Sequence, residues 1–156
     1  MALALLLGVG PACAQAADQL IVPGTRLGPV SLGLSGTQVV ELLGEPPSSE
    51  PSDPGPTLFF DHPRIAVALN GQQLGNSVVD TVSTDSADFA DAHGIRVGSS
   101  SSDVIAAYGS SYQRTDDDGM WTLWYDDQGI RFEFEPGGDT VGAIEVYGSN
   151  AEIMQS

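Results

Sequence analysis

Gly33-Leu34-Ser35-Gly36-Thr37-Gln38-Val39-Val40-Glu41-Leu42-Leu43-Gly44 reads as a short helix carrying its own start and stop signals. Ser35 is a hydroxyl N-cap with an acceptor side chain, Gln38, three residues on, which is the pattern of a capping box. Val39, Leu42 and Leu43 supply an apolar face, and Gly44 sits where a helix ends in the left-handed conformation. The same signals return in Gly98-Ser99-Ser100-Ser101-Ser102-Asp103-Val104-Ile105-Ala106-Ala107-Tyr108-Gly109, displaced by 65 residues (98 − 33). There Ser100 is the cap, Asp103 the weaker acceptor, Val104, Ala107 and Tyr108 the apolar face, and Gly109 the stop.

The displacement holds beyond the helix. Thr57, Leu58, Asp61 and Ile65 reappear 65 residues later as Thr122, Leu123, Asp126 and Ile130. Conservative matches accompany them: Val30 with Ile95, Val40 with Ile105, Phe60 with Tyr125, and Val79 with Ile144. A fixed period of this kind predicts one supersecondary unit built twice. Each unit opens on an extended piece, Leu27 to Leu32 in the first and Gly94 to Val97 in the second. Helices this short are marginal alone and need a surface to pack on.

A sheet supplies that surface. Trp121 to Asp126, Ile130 to Glu135 and Val141 to Tyr147 alternate in polarity and are separated by turn residues, as in an antiparallel meander. Thr57 to Asp61, Ile65 to Leu69 and Val78 to Val82 match them in the first half. Tyr112 to Thr115 can add a strand closed by Asp116-Asp117-Asp118-Gly119, whereas the prolines between Glu45 and Pro56 forbid a central strand there. Alternation places Leu58, Phe60, Ile65, Val67 and Leu69 on the core face, with Leu123, Tyr125, Ile130, Phe132 and Phe134. The fold class is thus α+β: two tandem repeats, each a short helix on a three- to four-stranded antiparallel meander, fused into one domain. Residues 1–16 read as a signal peptide, 17–91 as the first repeat and 92–156 as the second.

The signal-peptide reading rests on the apolar run Met1 to Val9 and the small-x-small site Ala14-Gln15-Ala16, although no basic residue precedes Arg26. Gly10-Pro11-Ala12 ahead of Cys13 lacks the apolar start of a lipobox, which argues against lipidation. With Cys13 removed, disulfides, thiolate metal sites and thiol nucleophiles drop out together. The chain is expected to be exported, to the periplasm or beyond the cell. It carries 21 acidic against 5 basic residues, all arginine, for a net charge of −16. Such a surface repels nucleic acid and anionic lipid, so neither is an expected partner, and no segment is long enough to predict a membrane span.

The pattern Gly-x-Ser-x-x-(Gln/Asp)-Val-x-x-x-(Leu/Tyr)-Gly followed by a meander resembles the exported small outer-membrane lipoproteins of the SmpA/OmlA type. In tandem form it is similar to the β-lactamase inhibitor protein family. The resemblance covers nearly the whole chain after residue 16 and implies a sheet that offers its helix-free face to a protein partner. This chain lacks the disulfide cysteines of the inhibitor family, whose contact residues lie outside the shared motif, so none transfers. The segment Thr84 to Ser99 also resembles uncharacterised bacterial secreted proteins.

Catalytic and cofactor chemistry finds no converging set. Gly33-Leu34-Ser35-Gly36-Thr37 fails the nucleophile-elbow pattern at its last position. His62 and His93 fall at a turn and a strand start without a spaced carboxylate partner. Setting Gly119 at position six of an EF-hand puts Arg114 and Tyr125 at the end positions, where carboxylates are needed. No metal, cofactor or catalytic residue is therefore expected, and a looser calcium site or small hydrolase built from Asp116, Asp118, Asp126 and Asp127 is the alternative. A structural envelope protein is the third reading. The favoured one is a non-enzymatic protein-binding module, an enzyme inhibitor or envelope accessory. Its predicted partner-binding residues lie opposite the core: Phe59 and Trp124, with Arg131, Glu133, Glu145 and Tyr147 around the tryptophan. Ala66, Ala68, Asp80 and Val82 are the expected neighbours of Phe59. Aromatics among arginine and carboxylates are the usual composition of binding hot spots.

Overall fold

The computed structural model describes residues 17–149, so the leader read over residues 1–16 lies outside them. Both capped segments are eight-residue helices, α1 (Gly36–Leu43) and α2 (Ser101–Tyr108). The Gln38 N–H donates to Ser35 Oγ at 3.1 Å, and the Ser35 N–H donates to Gln38 Oε1 at 2.9 Å, completing the capping box. At α2 the Asp103 N–H donates to Ser100 Oγ at 3.1 Å. The helices stop at Gly44 (φ 85°) and Gly109 (φ 91°), whose N–H groups donate to Val40 O and Ile105 O, each at 2.8 Å. A side chain at either φ would be strained, which is why glycine ends both helices.

Leu42 departs from the expected apolar face and is 51% exposed. Gly36 and Val39 are buried and Leu43 partly so, defining one arc of α1. Leu42 lies about 100° around the axis from Leu43, off the far side of that arc.

The described residues contain twelve strands, in chain order β1 (Leu20–Val22), β2 (Arg26–Leu27), β3 (Val30–Ser31), β4 (Ser48–Glu50), β5 (Thr57–Asp61), β6 (Arg64–Asn70), β7 (Val78–Thr84), β8 (Ala90–Asp91), β9 (Gln113–Asp117), β10 (Met120–Tyr125), β11 (Ile130–Phe134) and β12 (Val141–Tyr147). They form two sheets. A small one has the order β3-β2-β1-β8, with β1 and β8 parallel. The large one is antiparallel and eight-stranded, with the order β4-β5-β6-β7-β12-β11-β10-β9, so two meanders join through β7 and β12.

The extended piece expected over Leu27 to Leu32 is a tight hairpin instead, because Gly28 turns at φ 56° and Pro29 has no N–H to donate. Gly94 to Val97 forms no continuous strand and meets β8 through an Ala90–Arg96 bridge and backbone hydrogen bonds from the Asp91 N–H to Ile95 O and from the Gly94 N–H to Asp91 O. The acidic turn is shorter than predicted. Asp117 already pairs with Met120, leaving Asp118 (φ 51°) and Gly119 (φ 85°) as a two-residue loop of the type that suits sheet twist.

The helices and the core lie on the expected face. Leu58, Phe60, Ile65, Val67 and Leu69 are buried there with Leu123, Tyr125, Ile130, Phe132 and Phe134. Each such side chain contributes about 1.5–3 kcal/mol of transfer free energy.

The third strand of the first half corrects the 65-residue correspondence. Val67 pairs with Val82 and Phe132 pairs with Ile144, so Val82 rather than Val79 occupies the place of Ile144. Nine residues separate Leu69 from its partner Val79, against six between Phe134 and Val141. The extra length is taken up around a 3-10 turn at Leu74–Asn76. Both hairpins carry a bulge, at Asp80 between the Leu69–Val79 and Ala68–Thr81 pairs, and at Gly142 between Phe134–Val141 and Glu133–Ala143. A bulge advances the alternation by one residue. Val82, expected beside Phe59, therefore turns into the core, and Thr81 and Ser83 take the helix-free face.

Candidate functional site

The helix-free face is organised by one unbroken cross-strand row. Reading across the register, Gln113 faces Trp124, Trp124 faces Arg131, and Arg131 faces Glu145. Glu145 faces Ser83, Ser83 faces Ala66, Ala66 faces Phe59, and Phe59 faces Ser48. Directly opposed side chains in such a ladder are in reach of one another. Phe59 and Trp124 stand at the two ends of the six-residue central run, about 24 Å apart at ordinary strand spacing.

The second-half end of the row is densely bonded. The Arg131 guanidinium carbon lies 4.5 Å from the centroid of the Trp124 ring. Its Nη2 donates to Glu145 Oε2 at 3.0 Å and lies 3.3 Å from Glu133 Oε1. Arg131, Glu133 and Glu145 retain only 22%, 32% and 21% of their side-chain exposure. The indole N–H of Trp124 donates to Thr115 Oγ1 at 2.8 Å, and the Tyr147 ring meets Trp124 edge-on at 6.3 Å. Tyr147 donates its hydroxyl proton to Asp126 Oδ1 at 2.7 Å. Burial raises the Glu145 carboxyl above its ordinary range, overriding the pull of Arg131, while Glu133 and Asp80 push it the same way. Burial, then the Asp126 hydrogen bond, raises the Tyr147 phenol.

The first-half end is empty by comparison. Where Trp124 faces Arg131, Phe59 faces Ala66; where Arg131 faces Glu145, Ala66 faces Ser83. The truncated side chains leave a depression of about 260 Å³ lined by Phe59, Asp61, Ala66, Ser83 and Ala143. Arg64 and Asp85 also line it, Arg64 donating to Asp85 at 2.5 and 2.9 Å. That hydrogen bond is the main reason the Asp85 carboxyl is held below its usual range and the Arg64 guanidinium above its own.

All six residues predicted for partner binding therefore share the helix-free face and are partly buried. Trp124, Arg131, Glu133, Glu145 and Tyr147 form one cluster, whereas Phe59 belongs to a separate depression. Ser83, Ala143 and the Arg64–Asp85 pair were missed. Placing Ser83 required the bulge, and a depression built from small residues leaves no positive mark in a sequence.

Elsewhere, Ser35 is engaged as a cap and His62 is an exposed turn residue. Of the acidic turn residues, Asp116 is held by Arg114 at 3.0 and 3.1 Å and Asp126 by Tyr147. Among the described residues no group of three or more His, Cys, Asp or Glu side chains is arranged to hold a metal ion. A buried polar cluster escaped sequence reading altogether. Asp91 accepts from the N–H groups of His93 (2.9 Å) and Ile95 (2.8 Å) and from the Tyr108 hydroxyl, tying β8 to α2. Burial first, and Asp91 second, raises the Tyr108 phenol.

Among the described residues no helix is long and apolar enough to cross a membrane. No protein-family model matches the chain, and no curated protein matches its sequence. An extracellular protein containing a SCP domain from Bacillus anthracis str. Ames is similar in structure, with a TM-score of 0.52 at 11% identity, over 79% of this chain and 45% of that one. The uncharacterized protein yfeY from Escherichia coli aligns with a TM-score of 0.43 at 11% identity, over 85% of this chain and 96% of that one. The chain thus spans less than half the length of the SCP-domain protein, and at this identity the likeness is one of fold.

Proposed function

We propose that this chain is an exported, non-enzymatic module that binds a protein partner through the helix-free face of its large sheet. The observation that carries the reading is the row from Trp124 through Arg131, Glu145, Ser83 and Ala66 to Phe59. It sets two half-buried aromatics and a desolvated charge cluster on a face that neither helix covers. Aromatics and arginine over partly desolvated ground are where binding energy concentrates. An enzyme inhibitor and an envelope accessory are both versions of this function.

We also infer that the chain is one unit duplicated, related to the SmpA/OmlA and β-lactamase inhibitor group. The serine caps, the stop glycines, the matching bulges and the mirrored strand order support this.

The test is affinity capture from the envelope and secreted proteins of the source cell. The full chain serves as bait beside its Phe59→Ala and Trp124→Ala variants, each checked by thermal melting. A partner retained by the parent and lost from stably folded variants supports the face. Equal capture by all three removes it.

A further inference from the structure

The two ends of the row are the same arrangement, once filled and once open. In the second half a guanidinium covers the Trp124 ring at 4.5 Å and is neutralised by Glu145 at 3.0 Å. In the first half the aromatic is kept as Phe59, but Ala66 and Ser83 stand where the cation and carboxylate would be. The resulting depression has about 260 Å³ of space. The one cation in its lining, Arg64, is paired with Asp85 rather than stacked on Phe59 as Arg131 is on Trp124.

The geometry points to an arginine side chain of the protein partner as the occupant of this depression, its guanidinium lying on the Phe59 ring over Ala66 and Ser83. The inference rests on the binding-face reading above and adds the chemistry of what binds. Charge favours it. Asp61 and Asp85 line the depression against the single cation Arg64, and the neighbouring cluster sets Glu133 and Glu145 against the single cation Arg131. The chain as a whole carries −16. Shape favours arginine over lysine, because a planar guanidinium stacks on an aromatic face and sheds water more readily than an ammonium.

The test needs no captured partner. The isotope-labelled full chain is titrated with acetyl-Gly-Arg-Gly-amide and, separately, with its lysine counterpart, following backbone amide shifts. The expected result is a saturable response confined to Phe59, Ala66, Ser83, Ala143 and the Arg64–Asp85 pair. The arginine peptide should bind at least about fivefold tighter than the lysine peptide. Ala66→Arg, which supplies the missing cation in cis, should abolish that response. Phe59→Leu, which keeps apolar volume without the ring, should erase the preference for arginine while leaving the amide spectrum of a folded protein. Shifts scattered over the acidic surface, equal for both peptides and indifferent to Ala66→Arg, would overturn the inference, as would no saturable response. A partner captured through the sheet face whose binding survives Ala66→Arg also overturns it, yet leaves the binding face standing. Loss of the partner with Phe59→Ala but not with Trp124→Ala, together with a block by Ala66→Arg, supports both.

Discussion

Replacing Arg131 with methionine keeps an unbranched apolar stem against the sheet and removes the guanidinium. Two contacts go, at 3.0 Å to Glu145 and 3.3 Å to Glu133, with the stacking on Trp124. Fully exposed pairs contribute about 0–1 kcal/mol, and hydrogen bonds to charged groups about 1.5–3 kcal/mol. With only 21–32% of their side-chain exposure left, these groups lie between the two limits. We expect a loss of about 2 kcal/mol near neutral pH, a large fraction of a typical domain's stability. The pH dependence carries a definite sign. Burial raises the Glu145 carboxyl in the folded protein above its unfolded value of 4.5. The folded state therefore binds that proton more tightly than the unfolded chain does, and ionisation costs stability as pH rises through the raised folded value. Arg131 opposes this shift, so its removal raises the folded value further and makes ionisation costlier. The deficit of Arg131→Met should accordingly shrink as pH falls from about 7 towards about 5. Urea unfolding followed by circular dichroism measures it independently of changes in tryptophan emission. Glu145→Gln and the double variant complete a cycle, with an expected coupling of at least about 1 kcal/mol. A deficit below about 0.5 kcal/mol, equal at both pH values and additive with Glu145→Gln, would show that the cluster is an ordinary solvated surface network.

The Asp91 cluster predicts an ordered series. Asp91→Ala leaves the His93 and Ile95 N–H groups and the Tyr108 hydroxyl without their acceptor and should cost at least about 3 kcal/mol by chemical denaturation, against about 1 kcal/mol for Tyr108→Phe. Equal costs would mean that the carboxylate is not the organising group. Glycine substitutions separate backbone strain from close approach. A Cβ at Gly129 (φ 74°) would lie 2.3 Å from Tyr147 O and 2.7 Å from Gly24 Cα, whereas one at Gly33 (φ 84°) meets nothing within 4 Å. Gly129→Ala should therefore lower stability by about 3 kcal/mol or more and Gly33→Ala by about 1 kcal/mol, read as shifts in melting temperature. Similar shifts would place both losses in the backbone alone.

Most of the large sheet and both helices were legible because their signals are local. A serine followed three residues on by an acceptor, a glycine at the stop, and period-two alternation each act within a few residues. What failed was non-local or depended on counting. The offset of 65 residues is kept through Ile65 and Ile130 but becomes 62 between Val82 and Ile144, because the longer hairpin around Leu74–Asn76 absorbs three residues. Val79 and Ile144 are both apolar, so the mismatched pair looks as good as the true one. The bulge at Asp80 then reversed the expected face of Val82 and hid Ser83. The Asp91–Tyr108 bond joins residues 17 apart and has no pattern that a sequence could display.

The contrast between the two faces is the strongest reason to look for function on the helix-free one. On the core face the two halves agree in kind at each matched position: Leu58 with Leu123, Phe60 with Tyr125, Ile65 with Ile130, Val67 with Phe132 and Leu69 with Phe134. Packing explains that agreement, since the same helix must seat on the same strands. On the other face Ala66 stands against Arg131, Ala68 against Glu133 and Ser83 against Glu145, whereas Thr57 with Thr122, Asp61 with Asp126 and the aromatics Phe59 with Trp124 agree. Packing against the helices cannot require those two rings, because neither helix reaches them. If solvation were the sole demand, charged or small residues at both positions would serve better than aromatics, as they do at every other step of the row. Retained rings whose cross-strand partners differ, Arg131 against Ala66 and Glu145 against Ser83, fit the proposed binding face, in which one end is completed by the chain's own arginine and the other would take a partner's.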